Sequence, residues 1–260
     1  MSELVKLKVE NGLARISLAR PESGNAMSRD FIESLVHACE TVMADSSVRA
    51  VLLNAEGKNF CVGGDINAFA EQGAPGAFIE HLAERLHQGM KCLASINAPV
   101  VVAVRGAAAG AGFSLAAAGD IVLAGEGASF TLAYPGIGLT SDGGATWSLP
   151  RLIGLRRTQE LAYLNRRLSA ADALEWGLVT RVVADDVVEA EALQIAERLA
   201  QGPTRAFGGI KHLLSQSFSA SYEDHLDVEA KAIGSAMDTV DAQSAVQAFL
   251  ARQKPKFTGE

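Results

Sequence analysis

The chain has 260 residues, 48% of them hydrophobic and 20% charged, with a formal charge of -7 and a pI near 5.3. That length can bury a large core in one domain or one domain plus a helical appendix, and the composition excludes a disordered chain. Lysine and arginine form no run longer than the pairs Arg156-Arg157 and Arg166-Arg167, which argues against a nucleic-acid footprint.

Met1 to Glu10 alternates apolar and charged residues as a first strand does and lacks the apolar core of a signal peptide, so a cytoplasmic protein is expected. Strands are predicted at Val5 to Val9 and Leu13 to Leu18, followed by a Pro21/Gly24 loop. Ser28 then reads as the N-cap of an amphipathic helix with Phe31, Ile32, Leu35, Val36, Cys39, Val42 and Met43 on one face. Arg49 to Asn54 reads as a buried strand, Phe60 to Asp65 as a glycine turn, Ile79 to Leu93 as a helix and Val100 to Val104 as the next buried strand. The recurrence of strand, turn and helix predicts parallel units of an α/β fold. The apolar stretch Ala98 to Gly119 is broken by Arg105 and by glycines, so no membrane span is expected.

Beyond about Ala190 the pattern is helical only: Glu189 to Ala200, Arg205 to Ser217, Tyr222 to Ala236 and Ala242 to Arg252. This divides the chain into a core over 1–189 and a helical region over 190–260. Apolar residues on more than one face of these helices fit either a closed layer on the same subunit or a neighbouring copy. Cys39, Cys61 and Cys92 are widely spaced, with no C-x-x-C, which argues against disulfides or a zinc site and for reduced core thiols.

The run Gly106-Ala-Ala-Ala-Gly-Ala-Gly-Phe-Ser114 leads from the strand ending at Val104 towards the helix of Leu115 to Ala118. Unpaired amides at the positive end of a helix dipole suit an anion. Leucine stands where a dinucleotide fingerprint needs its third glycine, and no Gly-Lys-Ser/Thr follows for a phosphate loop. Mere close packing of a helix on a sheet is the competing explanation. A second glycine turn, Phe60-Cys-Val-Gly-Gly-Asp-Ile66, also follows a buried strand. Two such donors together would make an oxyanion hole, although Asp65 there could serve only as a helix cap.

Arg20-Pro21 with Asn25-Ala-Met27, Phe60 to Ile66, Gly106 to Gly112 with Gly119-Asp120, and Leu168 to Val179 stand in an order that resembles the enoyl-CoA hydratase/isomerase (crotonase) superfamily over essentially the full length. The resemblance implies a crotonase-like spiral of ββα-type turns with a C-terminal helical oligomerisation region, a homotrimer or a hexamer of two trimers, and acyl-CoA substrates. It implies that Gly64 and Ala111 donate their amides to the thioester oxygen. It also places Ala26, Asp65, Ile66 and Asn67 near coenzyme A, with Lys58, Lys211 or Lys256 for its phosphates. No cofactor beyond the coenzyme A of the substrate, and no metal, is implied.

At the positions matching the two glutamates of the hydratases this chain has Ser114 and Tyr134, which disfavours simple hydration; Tyr134 reads as an aromatic lining the acyl pocket. Asp142, in Ser-Asp-Gly-Gly-Ala, could be ordinary turn or capping chemistry. It also matches the acid/base aspartate of the ring 1,2-epoxyphenylacetyl-CoA isomerases, which the stretch Gly138 to Gly154 and the C-terminus resemble, while some Δ3,Δ2-enoyl-CoA isomerases have a glutamate there. An acyl-CoA isomerase in which Asp142 moves a proton is therefore expected. His87, twelve residues before Pro99, matches the water-activating base of the 4-chlorobenzoyl-CoA dehalogenases. Hydrolytic dehalogenase or thioesterase activity, hydration, or acyl-CoA binding without catalysis are the alternatives, and the loop Phe69 to Phe78 is expected to shape the acyl pocket.

Overall fold

The alternating N-terminus folds back at Asn11-Gly12, both with positive φ (52° and 78°), as a two-residue hairpin turn requires. This pairs β1 (Val5–Glu10) antiparallel with β2 (Leu13–Leu18). The computed structural model describes residues 3–70 and 75–260. In chain order there follow α1 (Arg29–Ala44), β3 (Ala50–Ala55), α2 (Ile66–Ala70), α3 (Pro75–Ser95), β4 (Val100–Val104), β5 (Ala107–Ala109), α4 (Ala111–Ala117), β6 (Ile121–Gly125) and β7 (Ser129–Thr131). Then come α5 (Ala145–Ile153), α6 (Leu155–Leu164), β8 (Leu168–Ser169), α7 (Ala170–Glu175), β9 (Arg181–Val183) and the helices α8 (Val188–Ala200), α9 (Thr204–Gln216), α10 (Tyr222–Met237) and α11 (Val240–Leu250). The loop Phe69 to Phe78, to which the sequence assigns the choice of acyl group, lies in part outside the described residues.

The main sheet has the order β1-β2-β3-β4-β6-β9, and every pair after the hairpin is parallel. Because helices cover both faces, β4 and the stretch Ala50 to Leu53 of β3 read as continuous apolar runs. On one face Ile16, Leu18, Val51, Leu53, Val100 and Val102 share a core with Phe31, Leu35 and Val36 of α1 and Leu86 of α3. On the other, Leu52, Val101 and Leu123 meet Val188, Ala192 and Ala196, spaced one turn apart along α8.

Ser28 caps α1 as expected, its hydroxyl accepting the Phe31 amide at 3.3 Å. Met43 departs from its predicted place on the buried face: at the last turn of α1 it is 50% exposed, and Ala38 is buried instead. The glycine run also departs from a simple strand-to-helix passage. Gly106 has a φ of +64° and diverts the chain into β5, which belongs to a second sheet of order β5-β7-β8. Helix α4 then starts at Ala111, one turn before Leu115.

Beyond α8, helices α9 to α11 carry large exposed apolar side chains, among them Leu214, Ile233, Phe249 and Leu250. Among the described residues no helix is long and apolar enough to cross a membrane.

Candidate active site

The two glycine turns meet edge to edge. Cys61 donates its amide to Ala107 O at 3.1 Å and accepts the Ala109 amide at 2.9 Å, so the first turn is laced to β5 as a short extra strand. Gly112 makes this approach possible, since a Cβ there would lie 2.3 Å from Cys61 O. On its other side the first turn pairs with Met27, which donates to Gly63 O at 2.8 Å and accepts from the Asp65 amide at 3.1 Å. That pattern leaves the amide of the intervening Gly64 facing away from the pairing. Ala111 is the first residue of α4, where an amide has no partner inside its own helix. Among the described residues neither amide donates to a protein acceptor, and Gly64 and Ala111 both line a cavity of about 350 Å³.

Asp142 lines the same cavity and is held from several directions. Its Oδ1 accepts the Tyr134 hydroxyl, and its backbone carbonyl accepts Ser114 Oγ at 2.9 Å. Ser114 is 2% exposed and lies 3.4 Å from Tyr134 OH. Burial, together with the adjacent Asp142 charge, pushes the Tyr134 hydroxyl well above its usual range, so it stays protonated and donates. Ser114 thus holds the Asp142 backbone and Tyr134 its carboxylate. Tyr134 also lines the cavity, as the sequence suggests, but its hydroxyl does more than fill space. It opens the 3-10 turn Tyr134–Ile137, preceded by Ala133 at a φ of +63°. A non-glycine residue in that region costs of order 1–3 kcal/mol, and Asn165 Oδ1 holds it there by accepting the Ala133 amide at 2.9 Å.

The capping alternative for Asp142 finds no support: α5 begins at Ala145 after Gly144, with no side-chain cap. The Gly143 amide donates to His87 Nε2 at 3.0 Å. His87 does not itself form the cavity wall; Leu82, Ala83 and Leu86 of α3 do, with Met27, Ile32, Ile137 and Leu139.

Around the first turn, Asp65 is both a cap and a partner in an ion pair. Its Oδ1 accepts the Ala68 amide at 3.5 Å, and its Oδ2 accepts Arg20 Nη1 at 2.9 Å. Arg20 Nη1 also donates to Ala26 O at 3.0 Å, joining two of the residues placed near coenzyme A. Ile66 lines the cavity and is 49% exposed, and Asn67 is exposed. Lys211 is taken by structural bonds to Leu93 O at 2.8 Å and Asp120 Oδ2 at 2.9 Å, which removes it as a free phosphate ligand. Lys58 and Lys256 are exposed.

Sequence reasoning passes over Arg20 as a working residue, although it opens the Arg-Pro motif, and over the exposed Glu80, a second carboxylate on the cavity wall. The spacing of Ile79, Leu82, Ala83 and Leu86 along α3 is the signal that would have revealed that wall.

The model of the enoyl-CoA hydratase/isomerase family matches residues 8–260. The chain is similar to a 1,2-epoxyphenylacetyl-CoA isomerase of Escherichia coli, 36% identical over 262 residues and covering all of both chains. It is 34% identical to a "Probable enoyl-CoA hydratase" of Rhodobacter capsulatus, over 98% of each chain. A solved structure from Mycobacterium abscessus, provisionally described as an enoyl-CoA hydratase/isomerase, superposes with a TM-score of 0.94 at 38% identity, over 98% of this chain and 100% of that one. Names among the relatives include isomerases, hydratases and dehalogenases. The chain belongs to the enoyl-CoA hydratase/isomerase (crotonase) superfamily of acyl-CoA-processing enzymes.

Proposed function

We propose that the protein is an acyl-CoA isomerase that shifts a double bond or isomerises a ring epoxide, with Asp142 as its acid/base. One observation carries this reading: Asp142 and two unpartnered amides, of Gly64 and Ala111, line one apolar cavity. The amides form the oxyanion hole for the thioester oxygen. With Oδ1 engaged by Tyr134, Oδ2 is the oxygen that takes the proton from the α or γ carbon. The C–H electron pair becomes the enolate or dienolate, held by the two amides, and the carboxyl returns the proton at another carbon. A single carboxylate suffices for a shift, whereas the two-carboxylate hydration of the hydratases has Ser114 and Tyr134 in place of its acids. The hydrolytic alternative needs a histidine nitrogen free to receive a proton from water, and His87 Nε2 is occupied by the Gly143 amide.

The test is conversion of Δ3- to Δ2-enoyl-CoA, with aromatic and medium-chain thioesters alongside. Asp142→Asn is expected to lower kcat by ~10²–10⁴, the usual worth of a general acid/base, while Glu80→Gln stays near wild type. Full activity in Asp142→Asn would remove it from the mechanism, and no turnover of any thioester by the wild type would favour a binding protein. Halide release from 4-chlorobenzoyl-CoA would point to the dehalogenase instead.

Ala26 and the segment Asp65 to Asn67 are proposed to line the coenzyme A arm, organised by Arg20. The exposed apolar faces of α9 to α11, and a groove of about 1080 Å³ between α9, α10 and residues 94–97, are proposed to meet further copies of the chain in a trimer or hexamer. The three buried free thiols suit a reducing compartment, the cytoplasm.

A further inference from the structure

The segment that carries Asp142 has little regular structure of its own. Gly143 and Gly144 follow it with φ of +61° and +76°, and α5 does not begin until Ala145. Glycines in sequence give the backbone wide freedom, so the carboxylate is only as well placed as the bonds that pin this stretch. Ser114 holds the Asp142 carbonyl from α4, and Tyr134 holds the carboxylate from the turn that follows β7. The next amide, of Gly143, is held by His87 of α3, a different part of the fold.

We infer that His87 is a positioning residue for the acid/base Asp142, its imidazole acting as a fixed acceptor that ties the catalytic segment to the helix forming the acyl wall. A backbone N–H can only donate, so Nε2 of His87 must present its lone pair and the ring proton sits on Nδ1. Gly143 is buried, and a Cβ there would lie 2.7 Å from Ser114 Cβ and 3.5 Å from Met90 Sδ, so the segment is wedged between α4 and α3 at this point. One turn before His87 on α3, Ala83 lines the cavity, as do Leu82 and Leu86. The bond from His87 to Gly143 therefore sets the distance between the carboxylate and the wall against which the acyl chain lies. A displacement near 1 Å of a reacting group can cost ~10²-fold in rate, so this anchor bears on turnover without touching substrate. The inference rests on the assignment of Asp142 as the acid/base.

Two variants separate positioning from proton transfer. His87→Gln keeps an acceptor near the place of Nε2 but cannot act as a base, and His87→Leu removes the acceptor. Steady-state kinetics with a Δ3-enoyl-CoA are expected to show kcat lowered ~10–100-fold in His87→Leu with KM little changed, and recovery to within ~3-fold of wild type in His87→Gln. A glutamine variant as impaired as the leucine one, or a leucine variant with wild-type kcat, overturns the inference. If His87→Leu does not fold, hydrogen exchange of the Gly143 amide in His87→Gln decides: retained protection supports the anchor, and lost protection overturns it. Asp142→Asn is assayed in parallel. A wild-type rate there would sink the acid/base assignment itself, whereas a dead Asp142→Asn beside a wild-type-like His87→Leu sinks only the role of His87.

Discussion

Tyr134 shows how a residue can serve a carboxylate chemistry without being acidic. Its hydroxyl donates to Asp142 Oδ1, so removing the oxygen leaves the carboxylate free to rotate. Tyr134→Phe is expected to reduce kcat by roughly tenfold, about the worth of a hydrogen bond to a charged group, with KM little altered because the ring still lines the pocket. The sign of the pH effect follows from the environment. Burial and the Asp142 charge both favour the neutral phenol and raise its pKa above the ordinary 10.0, so the donor survives as pH passes that value. The pH–rate profile of the wild type is accordingly expected to lack an alkaline limb from this group up to pH 10; a limb there that disappears in Tyr134→Phe would contradict the assignment. At this scale the sequence singles out Asp142 by residue type and motif. What holds Asp142 and the neighbouring Gly143 is not legible, because Ser114 and Tyr134 lie 28 and 8 positions from Asp142, His87 lies 56 from Gly143, and only folding decides which of them turn towards this segment.

At the level of elements, the periodic segments are read well and the irregular ones poorly. The strand at Val100–Val104 and the hairpin strand Leu13–Leu18 stand where the pattern places them, as do the four C-terminal helices to within a residue or two. Helix α1 buries its apolar stripe except at Met43, where the helix runs past the core it packs on. The short strand β5 has no sequence signal: three alanines between glycines are neutral to period, and the strand exists because Ser129 to Thr131 and the Cys61 turn bond to it from either side. The joint between the glycine turns is the element-level feature most sensitive to substitution. Gly112→Ala would push a methyl against Cys61 O, and overpacking of this kind costs about 1–3 kcal/mol or more. A lowered urea midpoint together with a reduced kcat is expected, since prying the turns apart also separates the Gly64 and Ala111 amides. An alanine variant with wild-type stability and rate would show that the turns are not held in this close approach.

For the whole molecule, the distribution of apolar surface matters most. Ile233 is 73% exposed, Phe249 80% and Leu250 71%, all in the last two helices, while α8 is packed on the main sheet. A surface this apolar is costly to leave in water, which is the ground for the trimer or hexamer proposed above. Light scattering coupled to size exclusion is expected to give a mass three or six times that of the 27.2 kDa chain. The paired change Ile233→Glu and Phe249→Glu is expected to lower that mass, because charged groups would then have to be desolvated at the contact. A monomeric wild type would refute the oligomer.

Local chemistry is what the sequence determines by itself here: hydrophobic period sets the strands and helices, glycine spacing marks two turns, and the ordered motifs identify the superfamily. These features depend on neighbours a few residues apart or on short motifs, so a linear reading reaches them. The tertiary structure alone decides that the two turns abut, that their free amides and Asp142 line one cavity, and that Arg20, Tyr134, Ser114 and His87 hold the parts in place. Those relations join residues far apart in the chain, and they arise only when the helices close over the sheet and bring the loops at its edge into contact.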